Sequence, residues 1–318
     1  MLRIFLTLLI ASSYFILDVY ANITKRRRDS MTAFCEVLPG IHLLKVPFGP
    51  VWTGVILIRG KSNILIDTAA TGDDVDQYII PALAQIGMSI DEIDYLVNTH
   101  SHGDHIGGNH RLRQLGHFNV AAFEAMAPKV ADPVPYAIAT RTRFPEHSPA
   151  PQCFLKGIPV DIVLKDGQVL ADRLQVIHTP GHDNDCVCWY DIPTKTIITG
   201  DSLQANGTIC QGVGFYKSLS DYRWTLERLC KLDIENILCG HDYEGIGYLV
   251  TGKEQVQHTL RICEDHVADY QGFIWQLWQS GMQDPVEIAK KLIEEKGCGM
   301  PERLFMALYT VTEHIKEF

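Results

Sequence analysis

The sequence predicts a layered domain that mixes strands and helices, with a helical region at its C-terminal end. Three observations carry this. Short apolar runs bounded by Gly, Pro and Asp alternate with stretches of helical periodicity from about residue 41 to residue 240, the pattern of an α/β or mixed layered domain. Those strand-like runs fall into two groups, separated by a proline-rich stretch. From Glu254 onward helical periodicity dominates.

The elements follow in order. Ile41–Val46, Val51–Ile58 and Asn63–Asp67 read as consecutive strands, with Gly49-Pro50 and Arg59-Gly60-Lys61-Ser62 as turns. Thr71–Ile86 has Val75, Ile79, Leu83 and Ile86 at helical spacing, and Asp73 and Asp74 near its start suit the helix dipole. A strand at Ile93–Asn98, a helix at Asn109–Leu115 and a strand at Asn119–Phe123 come next. Ala127–Pro159 holds seven prolines and should keep few regular elements, as a lid or a surface excursion would. Strands return at Val160–Leu164, Val169–Leu170, Leu174–His178, Cys186–Asp191 and Thr196–Thr199, with Asp166-Gly167 as a hairpin-type turn. Leu219–Lys231 reads as a helix and Ile234–Cys239 as a last buried strand. The helices Glu254–Trp278, Pro285–Glu295 and Pro301–Lys316 complete the chain, with Trp275 and Trp278 expected to pack onto the main domain. The expected division is residues 1–30, a main domain at 31–253 and a helical region at 254–318.

The chain has 318 residues, 46% of them hydrophobic and 21% charged, the balance of a globular protein with a large core. Its net charge of −10 argues against a nucleic-acid partner, which would call for a basic stripe. Ile4–Leu17 is an apolar run short of the roughly 20 residues of a full membrane span. It fits a secretory signal ending near Ala21, an anchor held by Lys25-Arg26-Arg27-Arg28 on the cytoplasmic side, or a translation start at Met31 instead. Membrane contact is expected only if residues 1–30 are retained; without their five basic and two acidic groups the body carries −13. The nine cysteines are odd in number and scattered, which disfavours a disulfide framework and favours a reducing, cytoplasmic compartment, with export or anchoring as the alternatives. Cys186 and Cys188 read as buried free thiols on one face of a strand, a metal-binding pair being the alternative.

The chemistry is concentrated in Thr99-His100-Ser101-His102-Gly103-Asp104-His105, where four strong metal ligands fall within six residues. Their spacing suits a loop at the end of a strand rather than one face of a helix. Imidazoles with a carboxylate suit zinc, with iron or manganese as alternatives. Three further ligand types stand at strand ends beside glycine: His182 after Gly181, Asp201 after Gly200 and His241 after Gly240. Five histidines and two aspartates are about what two four-coordinate ions need, with water completing the shells. A His-rich loop that binds nothing is the competing reading of the motif, and the three downstream ligands argue against it. His110, His117, His147, His258, His266 and His314 are expected at the surface or at caps, and His42 and His178 in structural roles.

This set, over roughly residues 38 to 245, resembles the metallo-β-lactamase superfamily, in its glyoxalase II and lactonase-like branch rather than among true β-lactamases. Its H-x-H-x-D-H motif is His100–His105 without departure, and His178-Thr179-Pro180-Gly181-His182 resembles the same branch. The resemblance implies an α+β fold, a four-layer αββα sandwich with the metals at one edge between the sheets. It implies one zinc ion on His100, His102 and His182, a second on Asp104, His105 and His241, and Asp201 bridging them. Asp67 would orient the motif by hydrogen bonds without binding metal. Three departures bear on the subgroup. Asp183 follows the second His where most members have Thr, and Gln204 stands where acyl-homoserine lactonases often have Tyr. Asp201 occupies a position that zinc β-lactamases commonly leave without an aspartate.

The function implied is hydrolysis of a small-molecule ester, thioester or lactone by a hydroxide held on two zinc ions, with Asp104 moving the proton to the leaving group. The alternatives from the same fold are a mononuclear iron, persulfide dioxygenase-like oxidoreductase and a phosphodiester hydrolase. A non-catalytic binding module on the fold is disfavoured by the intact ligand set.

Overall fold

A computed structural model describes residues 33–207, 212–299 and 303–318. The N-terminal apolar run lies outside the described residues, and no described helix is long and apolar enough to cross a membrane. Strands form two sheets. The first runs in the order β1 (Cys35–Leu38), β2 (Ile41–Phe48), β3 (Val51–Ile58), β4 (Ile64–Ile66), β5 (Tyr95–Val97), β6 (Asn119–Phe123) and β7 (Ile162–Leu164). The second contains β8 (Val169–Leu170), β9 (Leu174–His178), β10 (Val187–Asp191), β11 (Thr196–Gly200), β12 (Asn236–Tyr243) and β13 (Gly247–Thr251), in the spatial order β13-β12-β11-β10-β9-β8. The first sheet is antiparallel from β1 to β4 and parallel from β4 to β7.

The two-residue period of a strand assigns each face of the second sheet to a different core. Val176, Trp189, Ile198 and Leu238 pack in one core with Leu43, Ile56, Ile66 and Val97, which the strand register places on a single face of the first sheet. Their chain neighbours Ile177, Cys188, Ile197 and Ile237 face out and are covered by Leu226 and Leu229 of the helix Leu219–Cys230 and by Val256, Leu260 and Ile274 of the helix Lys253–Gln279. Val75, Ile79 and Leu83, with Leu112, cover the outer face of the first sheet. The result is the expected four layers, helix–sheet–sheet–helix. Leu292 of the helix Pro285–Lys296 and Leu308 and Val311 of the helix Leu304–Ile315 join the outer core of the second sheet.

Several local expectations need correction. The helix expected over 71–86 is broken: Gly72–Asp74 is α-helical, Val75–Ile79 is a π-helix and Ile80–Gln85 is α-helical again. Pro81 has no N–H to return to the preceding turn, and the Ile80 N–H reaches back to the Val75 carbonyl instead. The proline-rich stretch is more regular than expected, with helices at Ala127–Ala131 and Val134–Thr142 and a 3-10 turn at Pro145–His147. Pro128, Pro135 and Pro145 fall in first turns, where the missing N–H costs nothing. Asp166-Gly167 is not a hairpin: it carries the chain from β7 in one sheet to β8 in the other. The Asp166 carboxylate anchors that crossing, accepting from the His178 N–H at 2.8 Å and pairing with Arg228 at 2.8 Å. Trp275 lies against Phe318, with ring centroids 4.8 Å apart, and stays 42% exposed.

His314 is not at the surface. It is buried, one ring nitrogen 2.6 Å from the Tyr216 hydroxyl and the other 2.6 Å from Gln271 Oε1, and burial pushes its pKa down to about 3. A lone histidine late in a helical stretch carries no sign of the Tyr216 hydroxyl that meets it. The eight described cysteines are free, and Cys186 and Cys188 are buried thiols.

Candidate metal centre

Strand ends and the loops that follow them deliver the candidate ligands to one point, except for His241: β12 runs on to Tyr243, past the expected end at Cys239. β4 ends at Ile66, and Asp67 follows in the left-handed region at φ 63°. Its fully buried carboxylate accepts from the Thr99 N–H and the Thr99 hydroxyl, both at 2.8 Å, and from His105 Nδ1 at 2.8 Å. A strained backbone at the end of a buried strand thus aims a carboxylate at the loop after β5. That loop carries His100 and His102, and the short helix Gly103–Ile106 carries Asp104 and His105. Gly200 ends β11 at φ +49°, and a Cβ there would stand 2.3 Å from the Thr99 hydroxyl, so only glycine lets Asp201 approach the motif. His241 sits within β12, opposite the start of β3, and its Nδ1 donates to the Trp52 carbonyl at 2.7 Å.

All seven candidates come together. His102 Nδ1 lies 3.0 Å from His182 Nε2. Asp201 has its carboxylate 3.9 Å from His100 Nε2, 3.5 Å from His182 Nε2, 3.5 Å from His105 Nε2 and 3.4 Å from His241 Nε2. Asp104 Oδ2 is 3.4 Å from His241 Nε2 and 3.7 Å from His105 Nε2. Within each of three trios the donor atoms lie within 4.8 Å of one another: His100–His102–His182, Asp104–His105–His241, and His100–His105–Asp201, which links the other two.

The outward ring nitrogens are tethered, which orients the rings. His105 is tied to Asp67, His241 to the Trp52 carbonyl, His182 to the Phe215 carbonyl at 2.7 Å and His102 to Asp183 at 3.2 Å. A tethered N–H fixes the tautomer and turns the other nitrogen inward. At the centre three buried atoms, His100 Nε2, His105 Nε2 and Asp201 Oδ1, have no hydrogen-bond partner among the described residues. Buried polar atoms are rarely left so, and a cation at this point would satisfy all three. Imidazole and carboxylate donors of this kind fit a transition-metal ion.

The electrostatics differ between the trios. Burial holds His100 well below its ordinary pKa, takes His102 down to about 3 and lowers His182, so these three present neutral rings. Burial also opposes charge on His105 and His241, but carboxylates prevail there. Asp201, Asp67 and Asp104 hold His105 well above its ordinary value, and Asp201 and Asp104 raise His241 to about 10. The same ion pairs keep Asp104 and Asp201 ionised against burial.

Two residues that the sequence marked only as departures from the family pattern have structural roles at the site. Asp183, noted as a departure from Thr, proves to be a hub: besides His102 it accepts from Lys129 Nζ at 2.9 Å, Lys217 Nζ at 2.5 Å and the Asn184 N–H at 2.7 Å. Gln204 takes the Phe215 N–H on Oε1 at 2.9 Å and donates to the Asp201 carbonyl at 2.7 Å, which fixes the segment that anchors His182. The side-chain partners of Asp183 lie 34 to 81 residues away, and no local pattern marks them.

Fold and donor set together define a metallo-β-lactamase-type centre, and the chain belongs to the metallo-beta-lactamase superfamily, whose family model matches residues 46–241. It is 24% identical over 154 residues to a hydroxyacylglutathione hydrolase of Pelagibacter ubique (strain HTCC1062), covering 48% of this chain and 52% of that protein. It is 27% identical over 192 residues to the beta-lactamase-like protein 2 homolog of Drosophila melanogaster, covering 58% of this chain and 56% of that protein. The chain thus spans little more than half the length of these curated relatives. Among solved structures, a metallo-beta-lactamase family protein from Thermus thermophilus matches 88% of this chain and 94% of its own, with a TM-score of 0.69 at 21% identity. That likeness extends over the helices after residue 253 as well as the sandwich.

Proposed function

We propose that this protein is a binuclear zinc hydrolase acting on the carbonyl of a small-molecule ester, thioester or lactone. The observation that carries the reading is the convergence of seven donors, three of them with a buried atom left without a hydrogen-bond partner among the described residues, at the wall of a cavity of about 330 Å³. His100, His102 and His182 would hold one ion, and Asp104, His105 and His241 the other, with Asp201 between them. When bound, such a pair lowers the pKa of water towards about 7 and polarises a carbonyl oxygen. The hydroxyacylglutathione hydrolases among the relatives favour a thioester.

The chain's own residues supply the rest. Asp67 and Asp183, each accepting from one imidazole, keep His105 and His102 in fixed tautomers, so no reorganisation is needed as charge develops. Asp104 is ionised and its side chain is 18% exposed towards the cavity, so the carboxylate oxygen that an ion would leave free could take a proton and pass it to the leaving group. Phe215 and Phe305 line the cavity and exclude water from an acyl chain.

The test is dialysis against a strong chelator, followed by zinc, manganese or iron, with a panel of esters, lactones and thioesters. Loss of hydrolysis on stripping and its return with zinc are expected. Hydrolysis indifferent to stripping would sink the proposal, and no hydrolysis with any metal, together with iron-dependent oxygen consumption on a persulfide, would favour the oxidoreductase reading.

A further inference from the structure

The cavity beside the donors runs beneath the helices Val134–Thr142 and Leu304–Ile315, and there it holds two arginines that form no ion pair among the described residues. The Arg141 guanidinium stacks 4.1 Å over the Phe305 ring. Its Nη1 is buried and has no hydrogen-bond acceptor among the described residues. Arg303, which precedes the second helix, lines the same cavity, 5.9 Å over the Phe48 ring. Neither arginine forms an ion pair among the described residues. The neighbouring cations are matched: Lys129 with Asp185 at 2.9 Å, Lys217 with Asp183 at 2.5 Å and Arg143 with Glu313 at 3.4 Å. In a chain of net charge −10, two uncompensated guanidiniums in one cavity are a specific arrangement. The charge of Asp104 reaches Arg141, which puts the guanidinium in the field of the candidate metal centre.

A half-buried guanidinium without a counter-ion is costly, and its planar fork matches a carboxylate or phosphate in two-point contact. Val51, Leu155, Phe305 and Met306 make the intervening wall apolar. We infer that the substrate carries an anionic group, a carboxylate or a phosphate, on an apolar body, and that Arg141, with Arg303, holds this group while the scissile carbonyl lies at the donor cluster. The inference rests on the hydrolase reading and names the substrate class for it: a thioester or ester that carries an acidic group on its acyl or its leaving-group side.

The experiment compares matched thioesters on the zinc-loaded full chain. S-butyryl-N-acetylcysteamine is neutral, S-succinyl-N-acetylcysteamine is acidic on the acyl side, and S-butyryl-3-mercaptopropionate is acidic on the thiol side. One acidic member should exceed the neutral one in kcat/KM by about 10–30-fold, the worth of one charged hydrogen-bonded contact. R141Q should bring that ratio to near one, R303Q should lower it less, and R141K should keep part of it. A second readout needs no turnover. The affinity for anilinonaphthalene sulfonate relative to neutral N-phenyl-1-naphthylamine should fall about tenfold in R141Q. Hydrolysis without acidic preference overturns the inference and leaves the hydrolase reading standing. No hydrolysis of any member, with Arg141-dependent binding of the sulfonate, does the reverse. If no member is hydrolysed and R141Q binds both dyes as the parent does, both fall.

Discussion

Asp183 can be removed without changing volume, and that makes D183N informative. The side chain is 10% exposed, and its two oxygens accept from four donors: Lys129 Nζ, the Asn184 N–H, Lys217 Nζ and His102 Nε2. With Asp185, also 2.9 Å from Lys129, the cluster sets two carboxylates against two lysines. Asn leaves two lysines against one carboxylate and turns an NH2 group towards existing donors. Breaking a buried ion pair from one side costs about 3–5 kcal/mol. Lys129 keeps Asp185 and Asn184 Oδ1, and Lys217 keeps the Thr140 hydroxyl at 2.9 Å, so the cost should fall to about 2–3 kcal/mol. His102 loses the acceptor that orients it, which should weaken zinc binding about 10–100-fold. Urea unfolding of the chelator-treated protein reads the first effect, and competition with a chromophoric chelator reads the second. The pH dependence has a definite sign. Burial opposes ionisation of Asp183, but His102, Lys217 and Lys129 outweigh it and hold the carboxyl well below its ordinary range. A depressed carboxyl stabilises the fold above its unfolded pKa of about 4 and loses that contribution as pH falls further. The gap between parent and D183N should therefore narrow below about pH 4. A variant within about 0.5 kcal/mol of the parent at pH 7, binding zinc within a factor of about two, would refute the account of this cluster.

Gly200→Ala adds a Cβ at φ +49° and 2.3 Å from the Thr99 hydroxyl, and should cost about 2–4 kcal/mol by the same unfolding measurement; a neutral substitution would mean the close approach is not there. Asp67→Ala strips three donors of their acceptor in a fully buried site and should cost about 3–5 kcal/mol, so a stable variant would contradict the hydrogen bonds assigned to it. Zinc uptake should strengthen as pH rises from 6 to 8 and release protons into weak buffer, because His105 and His241 must lose theirs; uptake independent of pH would refute the charge state drawn for that trio. The raised pKa of His241 stabilises the metal-free fold below about pH 6.5 and is lost as pH climbs towards about 10.

What was legible in the sequence is what depends on local pattern. The H-x-H-x-D-H run and the Gly-His and Gly-Asp pairs at strand ends are contiguous, and the structure gathers their ligands at one point. Apolar runs marked the strands at Leu174–His178 and Val187–Asp191. What escaped depends on distant partners. The regularity of Ala127–Ala131 and Val134–Thr142 turned on where each proline fell within its helix, which density alone does not reveal. Asp183 reads as a substitution until Lys129, 54 positions away, is seen against it. Arg141 falls in a stretch expected to be irregular, and nothing local marks the Phe305 ring that lies against it.

The central claim is that seven side chains hold two ions, and native mass spectrometry of the zinc-supplied protein tests it most directly. Two zinc ions per chain are expected in the parent, with His182→Ala losing one and His241→Ala losing the other. A parent holding one ion or none, or single variants that keep both, would contradict it.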